Sequence, residues 1–243
     1  MIVGNGLLAH TFAPRFADDS ETIVFASGVS HSAETRASEF ERERAMLLDV
    51  LQRGTRQVIY FGSCGVTSPA SELTPYMRHK QMMEALVLAL PGNRVFRLPQ
   101  VVSHTDNPST LTNFIYNRIM SGEHFTVWAH AERNLIDIAD VCAIATALIE
   151  DDDSPRVVSI AARQSLLAPE IVSIFEETLG RKANCSVVPK GSPLLIDSTT
   201  TMKVSTRLGI DLGDTYIPGV IRKYYSPDAS ARLRAEQAKE ARR

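Results

Sequence analysis

Apolar and polar positions alternate in blocks along the first hundred residues. "MIV" followed by "GNGLLAHTFAPRF" reads as a short strand, a glycine turn and a helix, and "ETIVFASG" as a second buried strand. A polar helix follows around "EFERERAMLLDVLQRG", then a strand "QVIYFGS", a helix within "SELTPYMRHKQMMEALV" and a strand "NRVFRLP". Thr74 before Pro75 is helix-start chemistry, and Met82, Met83, Leu86 and Val87 fall at core-facing spacing behind it. Strand and helix alternating in this way predict an α/β protein whose parallel sheet is covered on both faces and takes ligands at the carboxyl ends of its strands.

Beyond "SHTDNPST" the regularity loosens. A helix "LTNFIYNRIMSG", a short strand "HFTVWA", the segment "RNLIDIADVCAIATALIED" and an amphipathic helix "PEIVSIFEETLGRK" stopped by Gly180 suggest a smaller lobe interleaved with the sheet. The expected organisation is a cofactor-type core over 1–102, a mixed region over 103–225 that contributes both sheet strands and the lobe, and a charged tail over 226–243.

Composition narrows the function. With 26 basic against 28 acidic residues, the formal charge of -2 gives no general attraction to nucleic acid or to an anionic membrane. Cys64, Cys142 and Cys185 are odd in number and widely spaced, which fits a reduced, cytoplasmic setting, and no apolar run is long enough for a membrane span. The six histidines form no metal-ligand spacing, so no metal is expected, and His79 beside Lys80 reads as a solvated helix residue. Trp128 and the phenylalanines read as packing residues.

The chemistry concentrates in one place. Tyr76 and Lys80 lie four apart, on one helix face. Six tyrosines and six lysines give about 0.15 such pairs by chance, and requiring a serine such as Ser63 at a fixed offset on the preceding strand lowers this to about 0.01. A serine at a strand's carboxyl end and a tyrosine on the next helix can converge on one substrate oxygen, and a lysine one turn along is expected to lower the phenol pKa. A surface Tyr and Lys on an amphipathic helix is the plainer alternative. Gly4, Gly6 and Ala9 add a GxGxxA spacing, in which glycines let the backbone approach a pyrophosphate at a helix N-terminus; a glycine turn at any strand-helix junction would look the same.

Taken in order, "VIYFGSCGV", "TPYMRHK", "RVFRLPQVV", "RNLIDIADVCAIATALIE" and "LLIDSTTTMKVSTRLGI" make the chain resemble the extended short-chain dehydrogenase/reductase family, the NAD-dependent epimerase/dehydratase group acting on nucleotide sugars. The resemblance covers roughly residues 1 to 225. It implies a Rossmann-like sheet with a small C-terminal substrate lobe and NAD or NADP as cofactor. It also implies Ser63, Tyr76 and Lys80 as catalytic residues, and Gly4, Gly6, Leu7, Ala26, Ser27, Tyr76 and Lys80 as cofactor-binding residues. Ser63, Asn113 and Arg133 would touch a nucleotide-sugar substrate, Arg133 through its diphosphate. Arg97, at a strand end, stays ambiguous between a substrate contact and a structural pair.

One departure from the family is visible. Only 16 residues separate Gly6 from Ile23, whereas the family places two further strand-helix steps there, which build the adenosine side of the pocket and supply a ribose-binding acid. The sheet is therefore expected to have a reduced number of strands, and Asp18 and Asp19 come too soon after the helix to replace that acid. The implied function is an NAD(P)-dependent oxidoreductase reducing a keto-sugar with Tyr76 as proton donor. The alternatives are an epimerase or dehydratase, and a non-catalytic binding descendant of the fold. The resemblance also implies a homodimer joined through the polar helix 39–53 and the helix after Tyr76.

Overall fold

In the computed structural model, residues 1–54, 56–105 and 107–229 are described. Most of the charged tail expected over 226–243 thus lies outside the described residues. The chain forms two compact units, visited in turn. It begins in the first with β1 (Ile2–Val3), α1 (Leu7–Phe16), β2 (Thr22–Phe25), α2 (Ala37–Leu51), β3 (Gln57–Ser63), α3 (Pro75–Leu88) and β4 (Arg94–Leu98). It enters the second with β5 (Gln100–Val102), α4 (Leu111–Ser121), β6 (Phe125–Trp128), β7 (Glu132–Arg133) and β8 (Leu135–Asp137). It returns to the first for α5 (Ile138–Glu150) and β9 (Val157–Ser159), then gives β10 (Leu166–Leu167), α6 (Ala168–Leu179) and β11 (Cys185–Val188) to the second. α7 (Thr199–Arg207) belongs to the first unit and α8 (Tyr216–Tyr225) to the second.

The first unit is built on a five-stranded sheet in the order β1-β2-β3-β4-β9, every neighbouring pair parallel. This is the Rossmann-like α/β architecture that the alternation of elements predicts. Alternate side chains face opposite ways along each strand. Ile23, Phe25, Val58, Tyr60 and Val95 pack with Leu47 and Val50 of α2 and Met83 and Val87 of α3. Phe61, on the other face, meets Phe12 of α1 with ring centroids 5.2 Å apart. α1 also packs on α5.

The steps from β1 to β2, β2 to β3 and β3 to β4 all run the same way along the sheet. Because α1 covers one face and α2 and α3 the other, the α1 crossover has the opposite hand to the two that follow, in a class of connection that is right-handed about 98% of the time. Strands whose connections leave for opposite faces leave a crevice at their carboxyl ends, and β1 and β2 form such a pair.

The second unit has its own core, in which Ile115 and Ile119 of α4, Phe175 of α6 and Ile221 and Tyr225 of α8 pack over Phe125, Val127 and Leu135. Three two-stranded ladders frame it: β5 with β8 and β6 with β11 are parallel, β7 with β10 antiparallel. Trp128, expected to pack, is 48% exposed: β6 alternates buried and exposed residues, and Trp128 falls on the outward phase after Phe125 and Val127.

Candidate functional site

Three elements converge at the carboxyl end of β3. Ser63 is its last residue and caps a short 3-10 turn, Cys64–Thr67, its Oγ accepting from the Gly65 amide at 3.2 Å. α3 then starts at Pro75, with the Thr74 hydroxyl accepting from the Met77 amide at 3.2 Å, so that Tyr76 emerges in the first helical turn. The Ser63 hydroxyl lies near enough to the Tyr76 phenol to favour its ionised form. Tyr76 and Lys80 share the inward face of α3, with the Lys80 ammonium 5.7 Å from the Tyr76 ring centre.

The buried stripe of α3 is Tyr76, His79, Lys80, Met83, Glu84 and Val87, a helical i, i+3, i+4 repeat in which half the positions are polar or charged. Met82, expected in the core, is 43% exposed, because the stripe is set by these polar positions and by Met83 and Val87. His79 is likewise not solvated. It is buried, stacked on Phe40 at 4.6 Å, with Nε2 3.0 Å from the Glu43 carboxylate.

Glu43, from α2, is the hub of this face. Its Oε1 accepts from the Tyr60 hydroxyl at 2.7 Å and from Lys80 Nζ at 2.9 Å, and its Oε2 accepts from the Val29 amide at 2.7 Å. Lys80 also donates to the Tyr60 hydroxyl at 3.0 Å. Burial pushes the Glu43 carboxyl upward, but the bonds from His79, Lys80, Val29 and Tyr60 outweigh it and hold the group at about 2. Gly28 is required at this point: a Cβ there would lie 2.7 Å from Lys80 Nζ and 2.9 Å from Glu43 Oε1.

This pairing changes the electrostatics expected of Lys80. Burial pushes the Tyr76 phenol up, the neighbouring Ser63 hydroxyl opposes it, and the Glu43 carboxylate adds to the rise, leaving the group at about 12. The anticipated lowering by Lys80 does not occur, since the cation's field is offset by a carboxylate 2.9 Å away. Burial pulls the Lys80 ammonium itself downward.

Glu43, Tyr60 and His79 escape a motif search. The signal for Glu43 was present, since Glu43, Leu47 and Val50 form the buried i, i+4, i+7 stripe of α2, but an isolated carboxylate in "EFERERAMLL" reads as one of several solvated charges. Arg97 resolves as a structural pair, its Nε and Nη2 bonded to the buried Glu84 at 3.0 and 2.7 Å.

The glycine turn stands at the carboxyl end of β1. Gly4 has φ of +129°, and a Cβ on it would lie 2.5 Å from the Ala26 carbonyl oxygen, so the turn sits directly against the residues that follow β2. Gly6 precedes α1 without a side-chain cap, and a Cβ on it would meet nothing within 4 Å. Leu7 is exposed, and Ser27 Oγ lies 3.8 Å from Met46 Sδ.

Asn113 and Arg133 belong to the second unit. The Asn113 amide is engaged on both sides, accepting from the Tyr225 hydroxyl at 2.6 Å and donating to the Thr105 and Asn107 carbonyls at 2.7 and 2.8 Å. Arg133 bonds the Glu132 carbonyl at 2.7 Å and pairs with no carboxylate among the described residues, and burial lowers its pKa.

A scan against protein-family models matches residues 15–161 to the NAD dependent epimerase/dehydratase family, a span that opens within α1 and leaves the glycine turn outside it. A search of the curated proteins by sequence finds no match. Among solved structures the fold is similar to MoeE5 in complex with UDP-glucuronic acid and NAD, at 16% identity and a TM-score of 0.67, covering 88% of this chain and 80% of that one. It is similar to a UDP-glucose-4-epimerase from Stenotrophomonas maltophila with bound NAD and formylated UDP-arabinopyranose, at 17% identity and a TM-score of 0.67, covering 88% and 77% of the two chains. It is also similar to TunA, an NAD-dependent NDP-hexosamine 5,6-dehydratase involved in tunicamycin biosynthesis, at 19% identity and a TM-score of 0.66, covering 84% and 75%. With a family match over more than half its length, the chain belongs to the NAD-dependent epimerase/dehydratase family.

Proposed function

We propose that the protein is an NAD(P)-dependent enzyme acting on a nucleotide-linked sugar, and that its reaction is reduction of a keto-sugar with Tyr76 as the proton donor. The observation that carries this is the convergence at the carboxyl end of β3 of Ser63 and a buried Tyr76, with Lys80 one turn behind on the same face of α3. Burial favours the protonated phenol, the form from which a carbonyl oxygen takes its proton as hydride reaches the carbon.

In this reading Ser63 donates a hydrogen bond to the carbonyl oxygen and Tyr76 passes its proton to that oxygen as it gains charge; solvent then reprotonates the phenolate. A nicotinamide cofactor supplies the hydride when bound. Gly4, Gly6 and Leu7 would hold phosphate at the amino end of α1, where the open space over Gly6 and the absence of a side-chain cap fit an anion. Ala26 and Ser27 would line the nicotinamide side. Two of the three Lys80 donors are engaged by Glu43 and Tyr60, and the third is assigned to the nicotinamide ribose.

The second unit is read as the substrate lobe. Arg133 suits a diphosphate, since its half-buried guanidinium has no carboxylate among the described residues. Asn113 would contribute by fixing Thr105 and Asn107 beside the sugar. MoeE5 and the epimerase, both seen with UDP-sugars, support that substrate class. A cytoplasmic homodimer joined through α2 and α3 completes the proposal; light scattering tests it, and a monomer at micromolar concentration removes it.

A second reading, a cofactor or nucleotide-sugar sensor without turnover, draws on the Lys80–Glu43 pair, which offsets the charge expected to assist Tyr76. Incubation with NADH or NADPH and a 4-keto nucleotide sugar separates the readings. Stoichiometric cofactor consumption supports reduction, redox-neutral isomerisation replaces it with epimerisation, and binding without turnover favours the sensor.

A further inference from the structure

We propose that the cofactor site engages only the nicotinamide mononucleotide half of the dinucleotide, so that reduced nicotinamide mononucleotide binds almost as well as NADH. The inference rests on reading the site as NAD(P)-binding and concerns which part of that ligand the chain can touch. In a dinucleotide fold the adenosine half lies beyond the first strand, on a neighbouring strand that presents an acid to the ribose hydroxyls about 20 residues past the glycines.

Here β1 is the outermost strand of the five among the described residues, and its one neighbour, β2, lies on the side of β3 and Ser63. Ala26, 20 residues beyond Gly6, follows β2 on the nicotinamide side, and its methyl group accepts no hydrogen bond. Ser27, next to it, points its hydroxyl at Met46.

Among the described residues, Asp18, Asp19 and Glu43 do not take over. Asp18 and Asp19 follow the far end of α1, about 15 Å along the helix from Gly6, at the end of the sheet where β2 begins rather than where it finishes. The Asp19 carboxylate already accepts from the Glu21 and Thr22 amides, both at 2.8 Å. Glu43 is fully buried and saturated by Tyr60, Lys80, His79 and Val29. A Cβ on Gly4 would strike the Ala26 carbonyl oxygen at 2.5 Å, so the turn itself can carry no polar side chain toward the adenosine side. A phosphate therefore lies over the amino end of α1, the nicotinamide ribose faces Tyr76 and Lys80, and whatever follows the phosphate passes the edge strand.

Calorimetric titration of the full chain with NADH, NADPH, reduced nicotinamide mononucleotide and AMP tests this without turnover. The expected result is that the mononucleotide binds within about tenfold of NADH, that NADPH and NADH agree within about threefold, and that AMP does not compete. NADH binding about a thousandfold tighter than the mononucleotide, or displacement by AMP, overturns the inference while leaving the NAD(P) reading intact; failure of every nicotinamide ligand to bind overturns both. In Gly6→Asp, for which a Cβ meets nothing within 4 Å, a carboxylate capping α1 should preserve folding and weaken NADH and the mononucleotide by the same factor, about tenfold or more. A loss confined to NADH would overturn the inference.

Discussion

The α2–α3 side of the crevice and its α1 side hold their functional groups in different ways. On the first, Lys80 is fixed by Glu43 and Tyr60, Glu43 in turn by His79 and the Val29 amide, and Gly28 leaves no room for a methyl group. On the second, Gly6 and the uncapped start of α1 offer backbone groups to open space. Proton transfer needs a side chain of defined charge at a defined place, and buried partners provide both. Holding a phosphate needs only aligned amides, which the helix supplies by its geometry. The chemical half of such a site is therefore over-determined, while its phosphate-holding half tolerates change.

The contrast predicts large effects on the first side and small ones on the second. Tyr76→Phe should slow turnover roughly 10²–10⁴-fold. Circular dichroism should show the fold intact, and a variant as fast as the parent removes the catalytic role.

Glu43→Gln should come next, because it strands a buried cation and the Tyr60 hydroxyl; denaturant unfolding should register a loss of about 3–5 kcal/mol. Adding Lys80→Met to the same chain should recover much of it. Additive losses would show that the pair does not act as a unit.

The Glu43 contribution carries a pH signature. Its carboxyl is held at about 2 against 4.5 for the free group, so its stabilisation is present above pH 4.5 and fades as pH falls toward 2. The stability gap between the parent and Glu43→Gln should narrow across that window, and a gap constant with pH would contradict the assignment.

At the small end, Gly28→Ala should cost about 1–3 kcal/mol, because the new methyl group strikes Lys80 and Glu43, which have nowhere to move. Gly6→Ala should change stability by less than about 0.5 kcal/mol. Equal losses at the two glycines would erase the distinction between the sides.

The sheet was legible because buried parallel strands such as "TIVF" and "QVIYFGS" are apolar runs that few other structures explain. The convergence of Ser63, Tyr76 and Lys80 at one strand end was legible because their offsets are fixed by that strand end and one helical turn. His79 and Glu43 were not, since polarity predicts solvent and only tertiary partners make their burial tolerable. The same partners explain the error over the Tyr76 phenol: a Tyr-x3-Lys spacing reveals the cation but not the carboxylate that offsets it. Trp128 misled for a different reason, as hydrophobicity alone does not say which phase of a strand faces outward.

The unusual hand of the β1–α1–β2 crossover has a kinetic consequence. A connection with the disfavoured hand gains little from local sequence and must be held by partners that arrive later, and α1 finds them far along the chain. Arg15 pairs with Glu150 at 2.7 Å, across 135 residues, and Cys142 Sγ reaches the Thr11 carbonyl at 3.6 Å. The amino-terminal strand and helix should therefore dock after β2, β3 and β4 have assembled with α2 and α3, because closing so long a loop is slow until the rest of the sheet exists to receive it. Pulse-labelled hydrogen exchange during refolding should show protection of α1 amides lagging behind those of β3; simultaneous protection would mean that the crossover forms without its distant support.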